Sequence, residues 1–270
     1  MSDVDLRQMA GERFEQELDA AWKAKDFSKA LALSRELLTL REESLGPEHA
    51  AVVSTLCDMA ELHRRLGAPE DAERLLTRAF EAQHKRGPGE QLGRVAFQLA
   101  QVLLERGAAD AALPFIEQAA AMAGPVEQVV AYGSLATVLR SLGRIPEARK
   151  AADQALVACD PKRTAPIDAA QAHNLAAELC EEAGELADAR SLYLAAHDLY
   201  VLALGDKHPQ VGIALLNVIT VDHLRGKDVR QGAQEVMAIL SQSVGPLHEQ
   251  TQAVQRALEA MLNLPMGQWS

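Results

Sequence analysis

Apolar side chains recur every three or four positions through most of the chain, in segments separated by glycine-containing turns. In one segment Val52, Leu56, Met59 and Ala60 fall on one face of a helix, and Leu66 continues the same stripe. This spacing is typical of amphipathic helices, whereas a half-buried strand would alternate apolar and polar residues. No stretch alternates for long enough to indicate a strand, so the pattern predicts an all-α fold.

The turns between these segments recur at regular intervals. One series is marked by Lys25, in "KDF", and then by glycines spaced 36 to 42 residues apart: Gly67, Gly107, Gly143, Gly184 and Gly226. A second series includes three near-copies of one sequence, "LGPEHA" at 45–50, "LGDKHP" at 204–209 and "VGPLHE" at 244–249. Glycine accepts the positive φ that ends a helix, and proline cannot continue one. The two series together predict a helix–turn–helix unit repeated about six times.

Alanine occurs at fixed distances from the first series of turns: five and twelve residues after each mark, and seven before it. The exceptions are Gln231, Leu37, Leu18 and Ile219. Because helices can approach closely only where side chains are small, we expect these alanines to pack between helices. They are Ala30, Ala72, Ala112, Ala148 and Ala189; Ala79, Ala119, Ala155, Ala196 and Ala238; and Ala60, Ala100, Ala136 and Ala177.

Glycine at the turn, alanine at three fixed distances from it and larger apolar residues between them resemble the tetratricopeptide repeat (TPR). The longer period, the "LGDKHP" ending and Pro114 early in a second helix resemble the kinesin-light-chain-type TPR subfamily. The resemblance implies a right-handed α-solenoid of about six repeats, forming one domain over residues 1–263. The implied repeats cover residues 10–45, 46–86, 88–123, 125–159, 165–204 and 209–244, followed by a capping helix at 247–263 and a short tail at 264–270.

Composition and charge narrow the classes of partner. The formal net charge of −11 provides no cationic field for phosphates, so we expect no nucleic-acid partner and no binding to an anionic membrane. Three cysteines without CxxC spacing predict neither a disulfide framework nor a zinc site. The first residues contain early acids rather than a secretory signal, and no apolar run approaches the roughly 20 residues of a membrane span. We therefore expect a cytoplasmic protein.

Motifs for catalysis are missing from the sequence. His49, His208 and His248 occupy equivalent turns of separate repeats, so we interpret them as turn residues rather than ligands of a shared metal. The glycine-containing "GPGEQLG" at 87–93 follows a helix and lacks the Lys-Ser/Thr ending of a phosphate-binding loop. No HExxH or G-x-S-x-G sequence occurs. We expect no enzymatic activity, no cofactor and no metal.

In TPR proteins the first helix of each repeat lines a concave groove, and the resemblance implies which positions face it. The implied lining includes Gly133, Ser134, Thr137 and Leu175. Asn174 and Asn217 match asparagines that hold a bound peptide backbone in this subfamily, and an amide can donate and accept at once. The expected peptide-binding residues are Arg64, Arg65, Arg94, Phe97, Gln101, Arg140, Asn174, Glu178 and Asn217.

The arginines of this set leave two interpretations open. Arginine suits carboxylates, which favours a partner with acidic character at the middle repeats. Alternatively the arginines pair with acids of their own helix, as Glu61 could with Arg64 or Arg65. The carboxylate clamp of chaperone-binding TPR proteins is not expected, because the matching positions hold Asp, Gln, Ser and Leu.

The function expected from the sequence is that of a non-catalytic adaptor or scaffold that binds a peptide or a partner helix in the groove. The alternative is a structural, self-assembling solenoid, or a sensory and regulatory one, that acts through its end helices or convex face. The sequence leaves the oligomeric state open.

Overall fold

The computed structural model describes the backbone of residues 3–262 and the side chains of residues 13–262, and every regular element in this part is an α-helix. The all-α prediction is therefore confirmed. The tail expected at 264–270 and the last residue of the expected capping helix lie outside the described residues. The thirteen helices of the described part are α1 Asp3–Lys23, α2 Phe27–Leu45, α3 Ala50–Arg65, α4 Pro69–Arg86, α5 Glu90–Glu105, α6 Ala109–Met122, α7 Gln128–Ser141, α8 Ile145–Ala158, α9 Pro166–Glu182, α10 Leu186–Leu204, α11 Pro209–Leu224, α12 Arg230–Ser243 and α13 Glu249–Met261.

The helices pack in pairs that follow the chain order. Each odd-numbered helix from α1 to α11 packs against the even-numbered helix that follows it. The pairs form two compact units, one containing α1–α6 and the other α7–α13. In the first unit α2 contacts α3 and α4 contacts α5; in the second, α8 contacts α9, α10 contacts α11 and α12 contacts α13. Each unit is thus a stack of helix pairs.

The first series of turns connects the two helices of each pair and has one backbone geometry. At the end of α3 the Gly67 amide donates to the Arg64 carbonyl at 3.0 Å, and the Ala68 amide donates to the His63 carbonyl at 2.9 Å. This pair of bonds is a Schellman motif, which requires a left-handed residue, and Gly67 has a φ of 74°. Lys25 holds the same place after α1 with a φ of 57°, so a lysine here adopts the conformation that glycine supplies elsewhere.

The second series of turns connects one pair to the next, and its three histidines cap helices. Nδ1 of His49, His208 and His248 accepts a hydrogen bond, in each case at 3.2 Å, from the backbone amide two residues further on. These amides belong to the first turns of α3, α11 and α13, where backbone donors have no partner within the helix. The interpretation of the histidines as turn residues therefore has a physical basis: each replaces the Ser, Thr, Asp or Asn that usually caps a helix.

The alanines that follow or precede the turns lie between helices, as predicted. Ala72, Ala112, Ala148 and Ala189 are fully buried, and the other predicted alanines except Ala238 are at most 2% exposed. Their small side chains allow paired helices to pack closely. One residue of the predicted apolar stripe differs: Leu66 is 43% exposed, because it lies beyond the last residue of α3 at the C-cap.

The prediction for Ala238 is wrong, since its side chain is exposed. Helices α4, α6, α8 and α10 begin two residues after their marking glycine, but α12 begins at Arg230, four residues after Gly226. The longer turn shifts the helix register by two positions. Ala233 and Leu240, both fully buried, occupy the places that the other pairs give to alanine.

Candidate functional site

The predicted binding residues of the first unit lie on α3 and α5, which contact each other. Arg64 of α3 donates to Glu61 at 2.8 Å and, through Nε, to Glu105 of α5 at 3.1 Å. The hydrogen bond with Glu105 is the main reason that the pKa of Arg64 is raised. The guanidinium is therefore shared between two carboxylates of neighbouring pairs, which leaves little positive charge for a partner.

Arg65 also contacts residues of its own unit. Its Nε lies 2.8 Å from Glu61, and its guanidinium lies 5.8 Å from the ring centroid of Trp22 and 5.6 Å from that of Phe27. These distances are typical of cation–π contacts. Arg65 therefore connects α3 with the first helix pair.

The three remaining residues of this unit lie along α5. Arg94 is exposed and 3.5 Å from Glu90 of the same helix. Phe97 and Gln101 are half-buried, and the Gln101 amide forms no hydrogen bond with any residue that the structure describes. The exposed part of α5 thus combines an aromatic ring with an amide whose hydrogen-bonding groups are not used by other described residues.

In the second unit the predicted residues form a chain of hydrogen bonds across three helices. Asn217 of α11 donates to Oδ1 of Asn174 of α9 at 2.9 Å, and Asn174 donates to Glu178 at 2.7 Å. Arg140 of α7 donates to Glu178 and, through Nε, to Glu182 at 2.8 Å. We call the surface formed by these five residues the α7–α9–α11 surface.

The two asparagines are held in place without being saturated. Each amide has two N–H groups and an oxygen with two lone pairs. The Asn217 side chain uses one N–H group, and the Asn174 side chain uses one N–H group and one lone pair. Both residues are half-buried, so their side chains remain partly open to solvent. The arrangement can therefore bind an extended backbone while the side chains stay fixed.

Arg140 is flanked by more negative charge than it carries. The hydrogen bond with Glu182 is the largest effect that raises the pKa of Arg140, and the nearby charge of Glu178 raises this pKa further. One guanidinium thus meets two carboxylates, and a carboxylate of a partner would have to displace one of them. Of the two interpretations left open by the sequence, the structure has the arginines in local and inter-helix ion pairs.

A cavity of about 270 Å³ lies between α7 and α9, and we call it the α7–α9 pocket. Four of its residues are those that the resemblance implied for the groove lining, Gly133, Ser134, Thr137 and Leu175. The other lining residues are Val129, Val130, Asp168, Gln171 and Ala172.

Sequence reasoning missed Val130 and Gln171, although a signal was available. Arg94, which the resemblance places in the groove, lies thirteen residues before Gly107, and Val130 and Gln171 lie at the same distance before Gly143 and Gly184. Asp168 has no such signal, because its place depends on where α9 begins.

The cysteine thiols are poorly suited to nucleophilic chemistry. Burial, with a smaller contribution from the Asp58 charge, raises the pKa of Cys57 to about 12. Burial also raises the pKa of Cys159 and of Cys180. Since the thiolate is the nucleophile, such thiols react slowly at neutral pH.

Two further features do not occur among the residues that the structure describes. No three His, Cys, Asp or Glu side chains among them are grouped so that they could hold a metal ion. Nor does any helix among them combine the length and the apolar character that crossing a membrane requires.

Comparison with known proteins identifies the repeat. Models of the tetratricopeptide repeat match residues 19–85 and 129–159. No curated protein sequence matches the chain.

Solved structures with the same fold include several TPR proteins. One is Pseudomonas aeruginosa pilF, with a TM-score of 0.66 at 18% identity over 93% of this chain and 99% of that one. Another is a Podospora anserina putative kinesin light chain with TPR-like repeats, with a TM-score of 0.59 at 15% identity over 74% of this chain and 97% of that one. A third is YrrB, described as a TPR protein with an unusual peptide-binding site, with a TM-score of 0.50 at 17% identity over 69% of this chain and 84% of that one.

At these identities the likeness concerns the fold, and the repeat itself is identified by the sequence models. The paired helices, the glycine turns and the buried alanines are the features on which the resemblance rested. Residues 19–85 and 129–159 are therefore tetratricopeptide repeats, and the chain has a TPR-like solenoid fold similar to that of a putative kinesin light chain.

Proposed function

We propose that this protein is a non-catalytic adaptor or scaffold that binds a peptide or partner helix on the α7–α9–α11 surface. The observation that carries the proposal is the chain of hydrogen bonds from Asn217 through Asn174 to Glu178, which fixes two amides and leaves part of their bonding capacity free. TPR folds generally mediate protein–protein interaction, and YrrB is described as having a peptide-binding site. A surface that is already ordered loses little conformational entropy on binding.

The expectation of an acidic partner stays a prediction, and the structure adds a condition to it. An incoming carboxylate must displace Glu178 or Glu182 from Arg140, or Glu61 or Glu105 from Arg64. Arg140→Ala tests this on the α7–α9–α11 surface, and Arg64→Ala/Arg94→Ala tests it separately on the first unit. If the partner is acidic, its affinity and the salt dependence of that affinity fall in the variant that removes its contact; an unchanged affinity in both variants excludes these arginines from binding.

The proposed function is tested by capture from native lysate, with the double variant Asn174→Ala/Asn217→Ala beside the natural chain. The control is Gln154→Ala/Gln231→Ala, because both are exposed amides on even-numbered helices of the same unit. We expect the asparagine variant to lose a partner that the natural chain and the control retain. Equal recovery by all three proteins contradicts the proposal.

The alternative, assembly through an end helix or the convex face, has its own basis in exposed apolar side chains. Val157 of α8 is 88% exposed and Leu202 of α10 is 72% exposed. Single exposed residues of this kind are common, so they favour the alternative only weakly. Removal of α13 is a poor test, because Val254 and Leu258 pack into the core beside α12. Val157→Ser/Leu202→Ser, measured by light scattering, tests self-assembly without opening the core.

A further inference from the structure

The volume of the α7–α9 pocket limits what it can hold. Pockets for drug-sized ligands enclose about 300–1,000 Å³, and this one encloses about 270 Å³. It therefore fits one side chain of a partner better than a whole cofactor.

Four of the residues that line the pocket are apolar. Val129 and Ala172 are 2% and 3% exposed, Leu175 is half-buried, and Val130 is 38% exposed. These four side chains offer apolar contact to a chain of methylene groups, and burial of such groups favours binding.

The polar part of the lining carries an unpaired negative charge. Asp168 is half-buried and its charge acts on the Cys159 thiol, but its carboxylate forms neither a hydrogen bond nor an ion pair with the residues that the structure describes. The side chains of Ser134 and Gln171 also form no hydrogen bond with these residues. No lysine or arginine lines the pocket. A carboxylate in this position attracts a cation and repels an anion.

Glycine keeps the α7 side of the pocket open. A Cβ atom added at Gly133 would have nothing within 4 Å, so neither packing nor backbone geometry requires glycine at this place. A side chain larger than that of glycine at position 133 would occupy space beside the other residues that line the pocket. Gly133 therefore allows a ligand to approach the backbone of α7.

We propose that the α7–α9 pocket binds one lysine or arginine side chain of the partner. The methylene groups lie against Val129, Val130 and Leu175, and the cationic end pairs with Asp168. An apolar stem with a charged end is the shape of these two side chains. The inference deepens the proposed function by naming a residue class that the partner presents, but its chemistry can be tested without the partner.

The test uses three small molecules of similar size, n-butylguanidinium, n-butylurea and pentanoate, added to the full chain with labelled valine and leucine methyl groups. We expect n-butylguanidinium to shift the methyl resonances of Val129, Val130 and Leu175. The shifts caused by n-butylurea should be smaller, and pentanoate should cause none. Because a partly exposed ion pair contributes about 1 kcal/mol, Asp168→Asn should weaken the binding of n-butylguanidinium roughly threefold to tenfold. Added salt should weaken this binding as well.

Two variants provide the controls. Asp188 is the third residue of α10 as Asp168 is of α9, but it does not line the pocket, so Asp188→Asn should leave binding unchanged. Gly133→Leu should abolish binding by filling the pocket. Thermal unfolding of each variant verifies that it is folded.

Equal binding of n-butylguanidinium and n-butylurea, stronger binding of pentanoate, or no response of these methyl groups overturns the proposal. Failure here is distinguishable from failure of the proposed function. If the asparagine variant loses the partner but n-butylguanidinium does not bind, only this inference fails. If n-butylguanidinium binds but the asparagine variant retains the partner, only the proposed function fails.

Discussion

At the residue scale, two glycines inside helices, Gly93 and Gly133, differ in what surrounds them. A Cβ atom at Gly93 would lie 3.0 Å from Cβ of Met122 and 3.4 Å from its backbone carbon, so α5 and α6 approach closely there. At Gly133 the same atom would meet nothing within 4 Å. The first glycine is required by packing, and the second is not.

This difference predicts opposite effects of one substitution. Gly133→Ala should raise the free energy of unfolding by about 0.5–1 kcal/mol, because alanine favours the helix and fits. Gly93→Ala should lower it, because Met122 and α6 have to move. Denaturant unfolding of the two variants measures both effects, and a loss of stability in Gly133→Ala would show that its surroundings are closed.

The cysteines give a prediction about pH. With a pKa of about 12, Cys57 is almost entirely protonated at pH 8, so its thiolate fraction is on the order of a thousandfold below that of a free cysteine. We expect slow alkylation of Cys57 in the native protein, with a rate that rises with pH up to the pKa. Mass spectrometry of labelled peptides measures it, with the urea-unfolded chain as the control. Rapid native labelling at pH 8 contradicts the burial of this thiol.

At the element scale, the helices of this protein depend on how they begin and on small residues where they cross. Three of the odd-numbered helices begin with a histidine cap, and the fully buried alanines lie on both helices of the pairs. Both features recur with the repeat, so each can be tested at one position with a second position as control.

For the caps, His208→Ala should lower the free energy of unfolding by about 1 kcal/mol, since the Gln210 amide loses its acceptor. His208→Asn should restore most of it, because asparagine is a strong N-cap. Denaturant unfolding gives both values. If asparagine is no better than alanine, the hydrogen bond to Nδ1 does not stabilise α11.

For the crossings, Ala196→Leu and Ala238→Leu compare one substitution at two alanines that the sequence predicted to be equivalent. Ala196 is fully buried, so added methyl groups should cost about 1–3 kcal/mol of unfolding free energy. Ala238 is exposed, so the same change should be close to neutral. The opposite order would place Ala238 between helices and contradict the register of α12.

At the scale of the whole molecule, the sequence predicts the repeat better than it predicts the site. The glycine turns and the buried alanines depend on backbone geometry and on steric limits that are local and recur in every unit. Counting residues from Gly67 and its equivalents therefore predicts their positions. The count fails at α12, where two additional residues in the turn shift the register, and sequence periodicity alone does not reveal where such residues enter.

The candidate site was less predictable because it depends on contacts between repeats. Arg64 pairs with Glu105 and Arg140 pairs with Glu182, residues 41 and 42 positions apart. The sequence indicates that such residues face the same surface, but side-chain conformation and helix spacing decide whether they meet. The unpaired carboxylate of Asp168 could be recognised only after its possible partners had been placed.

The central claim is that the fixed amides of α9 and α11 hold a partner's backbone. The direct measurement is the calorimetric dissociation constant of the captured partner with the natural chain, with Asn174→Ala/Asn217→Ala and with Gln154→Ala/Gln231→Ala. Since each lost hydrogen bond costs about 0.5–1.5 kcal/mol, we predict roughly tenfold weaker binding for the asparagine variant and no change for the glutamine variant. Equal dissociation constants for all three proteins would contradict the account.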